Sequence, residues 1–258
     1  MPLDPRPALL LLASSVFVYT VDRLADMRTD GIPDAWKAQF FQGRSVLVLL
    51  VLCAATTSWL LWDAPSAARW VFLSYMTVGV TYGLPVVPRW GPQGFGWMRL
   101  KEIPLAKSWL VGAAISVGVV GLPIAWSDAA VFSVDAWFLS VFVFAYAATN
   151  AHVFDIRDLD ADREAGIRTM PVVVGVWQTK LAMIGLNLGM LALMMWGWLD
   201  GITGPHPEII VCSVLAVLYV WKIDVRTPRD LYGILVDGCL YVPALLSVIH
   251  DGAVQNLP

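Results

Sequence analysis

The sequence predicts an all-α, polytopic membrane bundle of eight transmembrane helices around a central cavity. Three observations carry this. The 258 residues are 58% hydrophobic and only 14% charged, with a mean hydropathy of +0.68, outside the range of soluble domains. Apolar runs recur at lengths near the roughly 20 residues that a spanning helix needs. All 17 Lys and Arg residues except Arg6 and Arg69 fall in alternate connections between those runs.

The first span, residues 8–21, is short and runs directly into Asp22. Arg6, the apolar stretch and Ala13-Ser14-Ser15 also have the look of a cleaved leader. Cleavage would detach the helix that presents Asp22, so this segment is read as a retained span. Arg23, Arg28, Lys37 and Arg44 follow it. Spans 45–62 and 69–87 come next, joined by a short connection. Residues 88–106 combine Pro88, Pro92 and Pro104 with Gly91, Gly94 and Gly96, and carry Arg89, Arg99 and Lys101. That mixture predicts an ordered, turn-rich cap with short helical pieces. Lys107 opens span 107–126, and span 135–153 follows. Arg157, Arg163, Arg168 and Lys180 mark the next basic segment, which runs into the start of span 172–198. Span 208–222 leads to Lys222, Arg226 and Arg229, and span 231–249 completes the set. By the positive-inside rule the basic connections are cytoplasmic and both termini lie outside. The expectation is an integral protein of the cytoplasmic (inner) membrane with its active site facing the cytoplasm.

Residues 1–258 are read as a single transmembrane domain of two pseudo-repeated four-helix halves, about 1–134 and 135–258. Four helices return the chain to the same side, so such halves would be related by an axis along the membrane normal. The likeness between the halves is confined to two sets of aspartates. Asp22, Asp26 and Asp30 follow the first span; Asp155, Asp158 and Asp162 follow the fifth. Residues three or four apart on a helix share a face at roughly 5–6 Å. Each set therefore points two or three carboxylates in one direction at a membrane boundary, where unpaired charge is costly. A cation must complete each set. Carboxylates on separate helices suit Mg²⁺, which keeps some waters and binds phosphate-bearing substrates. Arg28, Arg99, Lys101, Lys107 and Arg163 stand near the acids in sequence and are candidates to grip a diphosphate. Their simpler role is topological, as inner-side charge. The loop bearing Arg99 and Lys101 is expected to close over such a ligand. Tyr146, Asn150 and His152 precede the second set on the same helix; Asn150 either lines the cavity or hydrogen-bonds a neighbouring helix.

The second set carries a resemblance. Asp155-Ile-Arg-Asp158-Leu-Asp-Ala-Asp162-Arg-Glu-Ala-Gly166-Ile-Arg-Thr169-Met-Pro171-Val closely resembles the second aspartate-rich motif of the UbiA superfamily of intramembrane prenyltransferases. The family's first motif, Asn-Asp-x-x-Asp-x-x-x-Asp, corresponds here to Asp22-Arg23-Leu-Ala-Asp26-Met-Arg-Thr-Asp30, with the leading pair changed. Members also carry a closely spaced Tyr and Lys in a cytoplasmic loop; this chain offers Tyr82 and Lys101, far apart. Typical members have a further helix before the first motif, so the chain looks like the family fold without its usual first helix. The resemblance implies an enzyme that binds a prenyl diphosphate through Mg²⁺ and ionises its C–O bond. Asp26, Asp30, Asp158 and Asp162 would be the principal ligands, with Asp22 and Asp155 assisting. The prenyl group then passes to a lipophilic acceptor or, as in UbiA-type terpene cyclases, closes on itself.

Other classes are disfavoured. A transporter site belongs near the midplane on broken helices, whereas these acids sit at helix ends. Cys53, Cys212 and Cys239 lie in apolar spans without metal-ligand spacing, and His152, His206 and His250 are scattered. A net charge of −3 gives no sign of nucleic-acid binding. The 13 Trp, 7 Tyr and 10 Phe suit packing and bilayer interfaces first, and cation shelter second. Oligomeric state is not encoded in these patterns.

Overall fold

A computed structural model describes residues 4–29, 43–91, 94–127, 133–204, 206–243 and 245–246. In chain order the elements are α1 (Arg6–Thr29), α2 (Arg44–Asp63), α3 (Ser66–Gly83), strands β1 (Val87–Gly91) and β2 (Gly94–Met98), and a 3₁₀ turn at Leu100–Glu102. Then come α4 (Lys107–Ser116), a π-turn at Val117–Gly121, α5 (Leu122–Trp126), α6 (Val134–Arg157), α7 (Leu159–Glu164), α8 (Met170–Val174) and α9 (Val176–Leu199). The last are α10 (Pro207–Lys222), α11 (Arg229–Tyr232) and a π-turn at Gly233–Asp237.

Five stretches among the described residues are long and apolar enough to cross a membrane: Arg6–Leu24, Arg44–Asp63, Lys107–Trp126, Val134–Arg157 and Val176–Leu199. The eight expected spans are thus not all matched at that standard. The predicted span 69–87 is helical only to Gly83, because the chain turns into a strand at Val87. The helix at the predicted span 208–222, Pro207–Lys222, is 16 residues long, and the last predicted span is interrupted by a π-turn. The first span is longer than expected, since α1 runs on past Asp22 to Thr29. On α2 the buried residues are Val46, Cys53 and Leu60, seven apart. Leu47, Val48, Val51, Leu52, Trp59 and Trp62 are exposed on its other faces. A helix apolar all round with so narrow a packed stripe has lipid as its remaining neighbour.

The chain packs as two compact units, residues 1–102 with 117–131, and residues 103–116 with 132–258. In the first, Leu10 of α1 packs with Leu60, Ala64, Ala68, Phe72, Leu122, Ala125 and Trp126. Small residues let α3 approach α1: a methyl on Gly79 would meet the Val18 side chain at 3.1 Å. The cap at 88–106 departs from the expected helical pieces. Its first part is an antiparallel hairpin pairing Pro88 with Trp97 and Trp90 with Phe95, and among the described residues only Leu100–Glu102 is helical.

In the second unit, α6 is the central element. Ser133 caps its start, its hydroxyl accepting from the Ala136 amide at 3.1 Å. Ser108, Gly112 and Ser116 form a small-residue stripe on α4 and are buried. A Cβ on Gly112 would lie 2.8 Å from Ala148 Cβ and 2.9 Å from the Phe144 carbonyl. Small residues at this spacing are what close membrane-helix contacts require. α9 and α10 pack on α6 through Phe142, Tyr146, Met183, Met190, Cys212 and Ala216. Asn187 donates to Thr149 Oγ1 at 2.8 Å, and Lys180 donates to the Trp221 and Ile223 carbonyls at 2.8 and 2.9 Å, which occupies carbonyls left over at the end of α10.

Candidate active site

The second unit gathers Asp155, Asp162, Lys107 and Ser108. Lys107 Nζ lies 2.9 Å from Asp155 Oδ1 and 3.2 Å from Asp162 Oδ1. The Ser108 hydroxyl donates to the other Asp155 oxygen in a short hydrogen bond. Asp155 and Asp162 are buried. Burial pushes the Asp162 carboxyl above the ordinary carboxylate range, and the Lys107 ammonium beside it acts in the opposite sense.

Local sequence builds this cluster. Asp155 lies on the buried last turn of α6, and Asp158 caps the start of the next helix. α7 lasts six residues and stops at Gly166, whose φ is +70°. The Ile167 amide reaches back to the Asp162 carbonyl at 2.8 Å and the Gly166 amide to the Arg163 carbonyl at 3.1 Å. That is the Schellman pairing, which needs a residue in the left-handed region. Thr169 and Pro171 then open α8, so the motif's trailing Gly, Thr and Pro are helix stop and start signals. Leu105 holds φ at +64°, a costly conformation for a side chain of that size. Its amide donates to the Arg168 carbonyl at 2.9 Å. This ties the approach to α4 against the turn after α7 and delivers Lys107 to both acids.

Asp158 points elsewhere. Arg157 grips it with two bonds of 2.8 and 2.7 Å while stacking on the Phe154 ring at 4.6 Å. Arg163 is exposed, 3.7 Å from Asp160. Tyr146 donates to the Cys239 carbonyl at 2.8 Å. Asn150 accepts a short bond from Tyr219, so of its two expected roles the inter-helix bond is present. His152, fully buried, lies 3.8 Å from Asp155 Oδ2 and edge-on to Trp109 at 4.8 Å. Sequence reasoning passed over Ser108 and Arg157 as site neighbours, and placed His152 only as preceding the second motif on the same helix. The Ser108-x-x-x-Gly112-x-x-x-Ser116 spacing was the available signal for the first.

In the first unit Asp22 meets Lys101, with Nζ to Oδ1 at 3.3 Å, and Lys101 lies 5.9 Å from the centre of the Tyr82 ring. Gly83 makes room: a Cβ there would be 2.2 Å from Asp22 Oδ1. Arg23 turns away, over the Tyr19 ring at 5.1 Å. Arg99 pairs with Glu102 at 2.6 Å. Asp26 and Arg28 fall on the last turn of α1, but their side chains are outside the described set, and Asp30 lies outside the described residues.

Among the described residues no group of three or more Asp, Glu, His and Cys side chains surrounds a common point. The Asp155–Asp162 pair nevertheless fits a hard divalent cation. Both carboxylates converge on one cation, the Lys107 ammonium, and the donors are all oxygen. One or two protein carboxylates suffice for Mg²⁺ when substrate phosphates and waters complete its shell.

Comparison with known proteins bears on the family and the fold. A family model described as the UbiA prenyltransferase family matches residues 6–232. Over 116 residues, 43% of this chain, the sequence is 33% identical to somaliensene A/B synthase of Streptomyces somaliensis. Over 109 residues, 39% of this chain, it is 28% identical to digeranylgeranylglyceryl phosphate synthase of Pyrococcus furiosus. Those alignments span 38% and 34% of the two relatives' own lengths. Among solved structures, an apo UbiA homologue from Aeropyrum pernix K1 superposes with a TM-score of 0.69 at 16% identity, over 96% of this chain and 91% of that one. A UbiA homologue from Archaeoglobus fulgidus bound to GPP and Mg²⁺ gives 0.64 at 17% identity, over 95% and 86%. At such identities the likeness is one of fold.

Proposed function

Because the chain belongs to the UbiA prenyltransferase family, we propose that it is a Mg²⁺-dependent membrane enzyme that ionises a prenyl diphosphate and transfers the prenyl group to a lipophilic acceptor. The observation that carries this reading is the convergence of two buried carboxylates, Asp155 and Asp162, on a single cation. The solved A. fulgidus relative bound to GPP and Mg²⁺ makes a prenyl diphosphate the natural ligand to assign.

In this reading Asp155 and Asp162 hold the ion, Ser108 fixes the orientation of Asp155, and Lys107 meets a phosphate oxygen. Asp158 assists after exchanging Arg157 for the ligand. Asp22, Asp26 and Asp30 are assigned the same metal-binding role in the first motif, with Lys101, Arg99, Arg28 and Arg163 as diphosphate contacts. When bound, the metal offsets negative charge on the departing diphosphate. The C–O bond breaks with its electron pair on the diphosphate oxygen. The allylic cation left behind is captured by the acceptor's electron pair, and the acceptor loses a proton. The setting is the membrane, with the site on its cytoplasmic side.

One observation favours a second reading: the Streptomyces relative, at 33% identity, is named a synthase of somaliensene A/B. There the cation would close on a double bond of its own chain and lose a proton, needing no acceptor. Incubation of purified protein with geranyl, farnesyl and geranylgeranyl diphosphates, with Mg²⁺ or EDTA and with or without lipid-soluble acceptors, tests both. Mg²⁺-dependent pyrophosphate release with an acceptor adduct supports transfer. Cyclic hydrocarbon from the diphosphate alone supports cyclisation. No pyrophosphate under any condition refutes the proposal.

A further inference from the structure

The hairpin at Val87–Met98 has a face that the diphosphate chemistry does not use. Its register places Pro88 opposite Trp97 and Trp90 opposite Phe95. Because strand side chains alternate between faces, these four share one side, while Val87, Arg89, Gly96 and Met98 take the other. The first side is wholly apolar and dominated by aromatics. Trp90 is 83% exposed, Trp97 61% and Phe95 53%. The rings pack edge to face as a row, Trp90 to Phe95 and Phe95 to Trp97 both at 5.3 Å. A lone two-stranded hairpin is marginal in water, and three large rings turned outward on one face worsen that.

We propose that this aromatic face docks into the headgroup layer of the bilayer that the chain spans, as an interfacial anchor. Three facts select lipid as the occupant. The hairpin starts four residues after α3 ends at Gly83. Its exit passes through the turn at Leu100–Glu102 to Lys107, where the apolar stretch Lys107–Trp126 begins. The exit thus lies nine residues in sequence before a stretch long and apolar enough to span a membrane. Trp is the residue most suited to a membrane–water interface, with an apolar body and a polar edge. From Gly83 to Lys101 the chain contains no acid and carries Arg89, Arg99 and Lys101, a sign that matches anionic headgroups. The hairpin also joins Tyr82 to Lys101, so docking would hold at the membrane surface the segment that brings these two side chains together.

The test is accessibility of alternate residues in reconstituted vesicles. Trp90→Cys, Trp97→Cys and Arg89→Cys would each be labelled with an environment-sensitive fluorophore in a Cys239→Ser background. Cys53 and Cys212 are buried, and unsubstituted background protein gives the blank. Vesicles of phosphatidylcholine with phosphatidylglycerol would carry a spin label near the headgroup. Probes at 90 and 97 should emit at shorter wavelength, be quenched by the spin-labelled lipid, and resist aqueous iodide several-fold better than the probe at 89. Equal iodide quenching at 89 and 90 overturns the proposal, since the aromatic face would then be in water. So does shielding at 90 without lipid quenching, which would mean that protein, a second copy or another part of this chain, covers the face. Activity is not the readout, so failure here leaves the catalytic reading untouched.

Discussion

Replacing Lys107 with methionine keeps the length of the side chain and removes its charge from the centre of the Asp155–Asp162 pair. In the parent that ammonium lies 2.9 and 3.2 Å from the two carboxylates, and the three side chains are 22%, 3% and 7% exposed. Removing one partner of a buried ion pair costs about 3–5 kcal/mol. Lys107 is partly wetted, so the lower end, about 3 kcal/mol, is expected in metal-free buffer. The carboxylates then face each other with no cation, which leaves a vacancy for a divalent ion. A ligand at one hundred times its Kd stabilises the native state by about 2.7 kcal/mol, nearly the whole loss. Thermal unfolding in detergent, followed with and without Mg²⁺, reads both effects. Lys107→Met should unfold well below the parent in EDTA and recover most of the difference in Mg²⁺. The parent should respond less, because there the ion has to displace an ammonium. Turnover of Lys107→Met should fall even when Mg²⁺ has restored its stability, because the phosphate contact is gone. If Mg²⁺ shifts the variant no more than the parent, the two acids are a structural ion pair and the metal assignment fails.

Asp162→Ala should abolish pyrophosphate release and Asp158→Ala should lower it, neither preventing membrane insertion, and EDTA should mimic the first; full activity in Asp162→Ala or in EDTA removes the metal hypothesis. Gly83→Ala puts a methyl where Asp22 Oδ1 sits, 2.2 Å away. It should cost about 1–3 kcal/mol of stability as Asp22 is pushed off and weaken diphosphate binding, both measured against Gly79→Ala as the milder neighbour. Gly112→Leu should destabilise the second unit by several kcal/mol, since even one methyl meets Ala148 at 2.8 Å and the Phe144 backbone; unchanged thermal unfolding would mean that α4 and α6 are not in close contact.

The helical membrane class was readable from the sequence because hydropathy acts on whole segments and needs no partner. The helix ends were less so. α1 continues to Thr29 through Asp22 and Arg23, charges that a hydropathy reading takes as a stop but that a helix tolerates once they find partners. The hairpin was missed for a related reason. The prolines and glycines of residues 88–106 were read as turn-forming, but Trp90, Phe95 and Trp97 alternate over so few residues that the strand period is faint beside the glycines. At the site, the spacing of Asp155, Asp158 and Asp162 put the acids on adjacent turns, yet only the structure shows Asp158 bound to Arg157 while its neighbours share Lys107. Which of several nearby cations an acid chooses depends on tertiary approach, here the backbone bond from Leu105 to Arg168.

Tyr82 and Lys101 make the same point in the opposite direction. Their separation in sequence was a departure from the family's close Tyr–Lys spacing. Yet Lys101 Nζ lies 5.9 Å from the Tyr82 ring centre and 3.3 Å from Asp22. The hairpin accounts for both facts. An antiparallel pair returns the chain to where it started, as the pairing of Val87 with Met98 at its open end shows, so the residues between them add length without adding distance. Lys101 can then meet Tyr82 and Asp22 together. The altered first motif fits this economy, because the cation beside Asp22 comes from Lys101 and not from the adjacent Arg23, which stacks on Tyr19. A spacing rule fails at an insertion of this kind, whereas closure of the hairpin preserves the contact that the rule stood for.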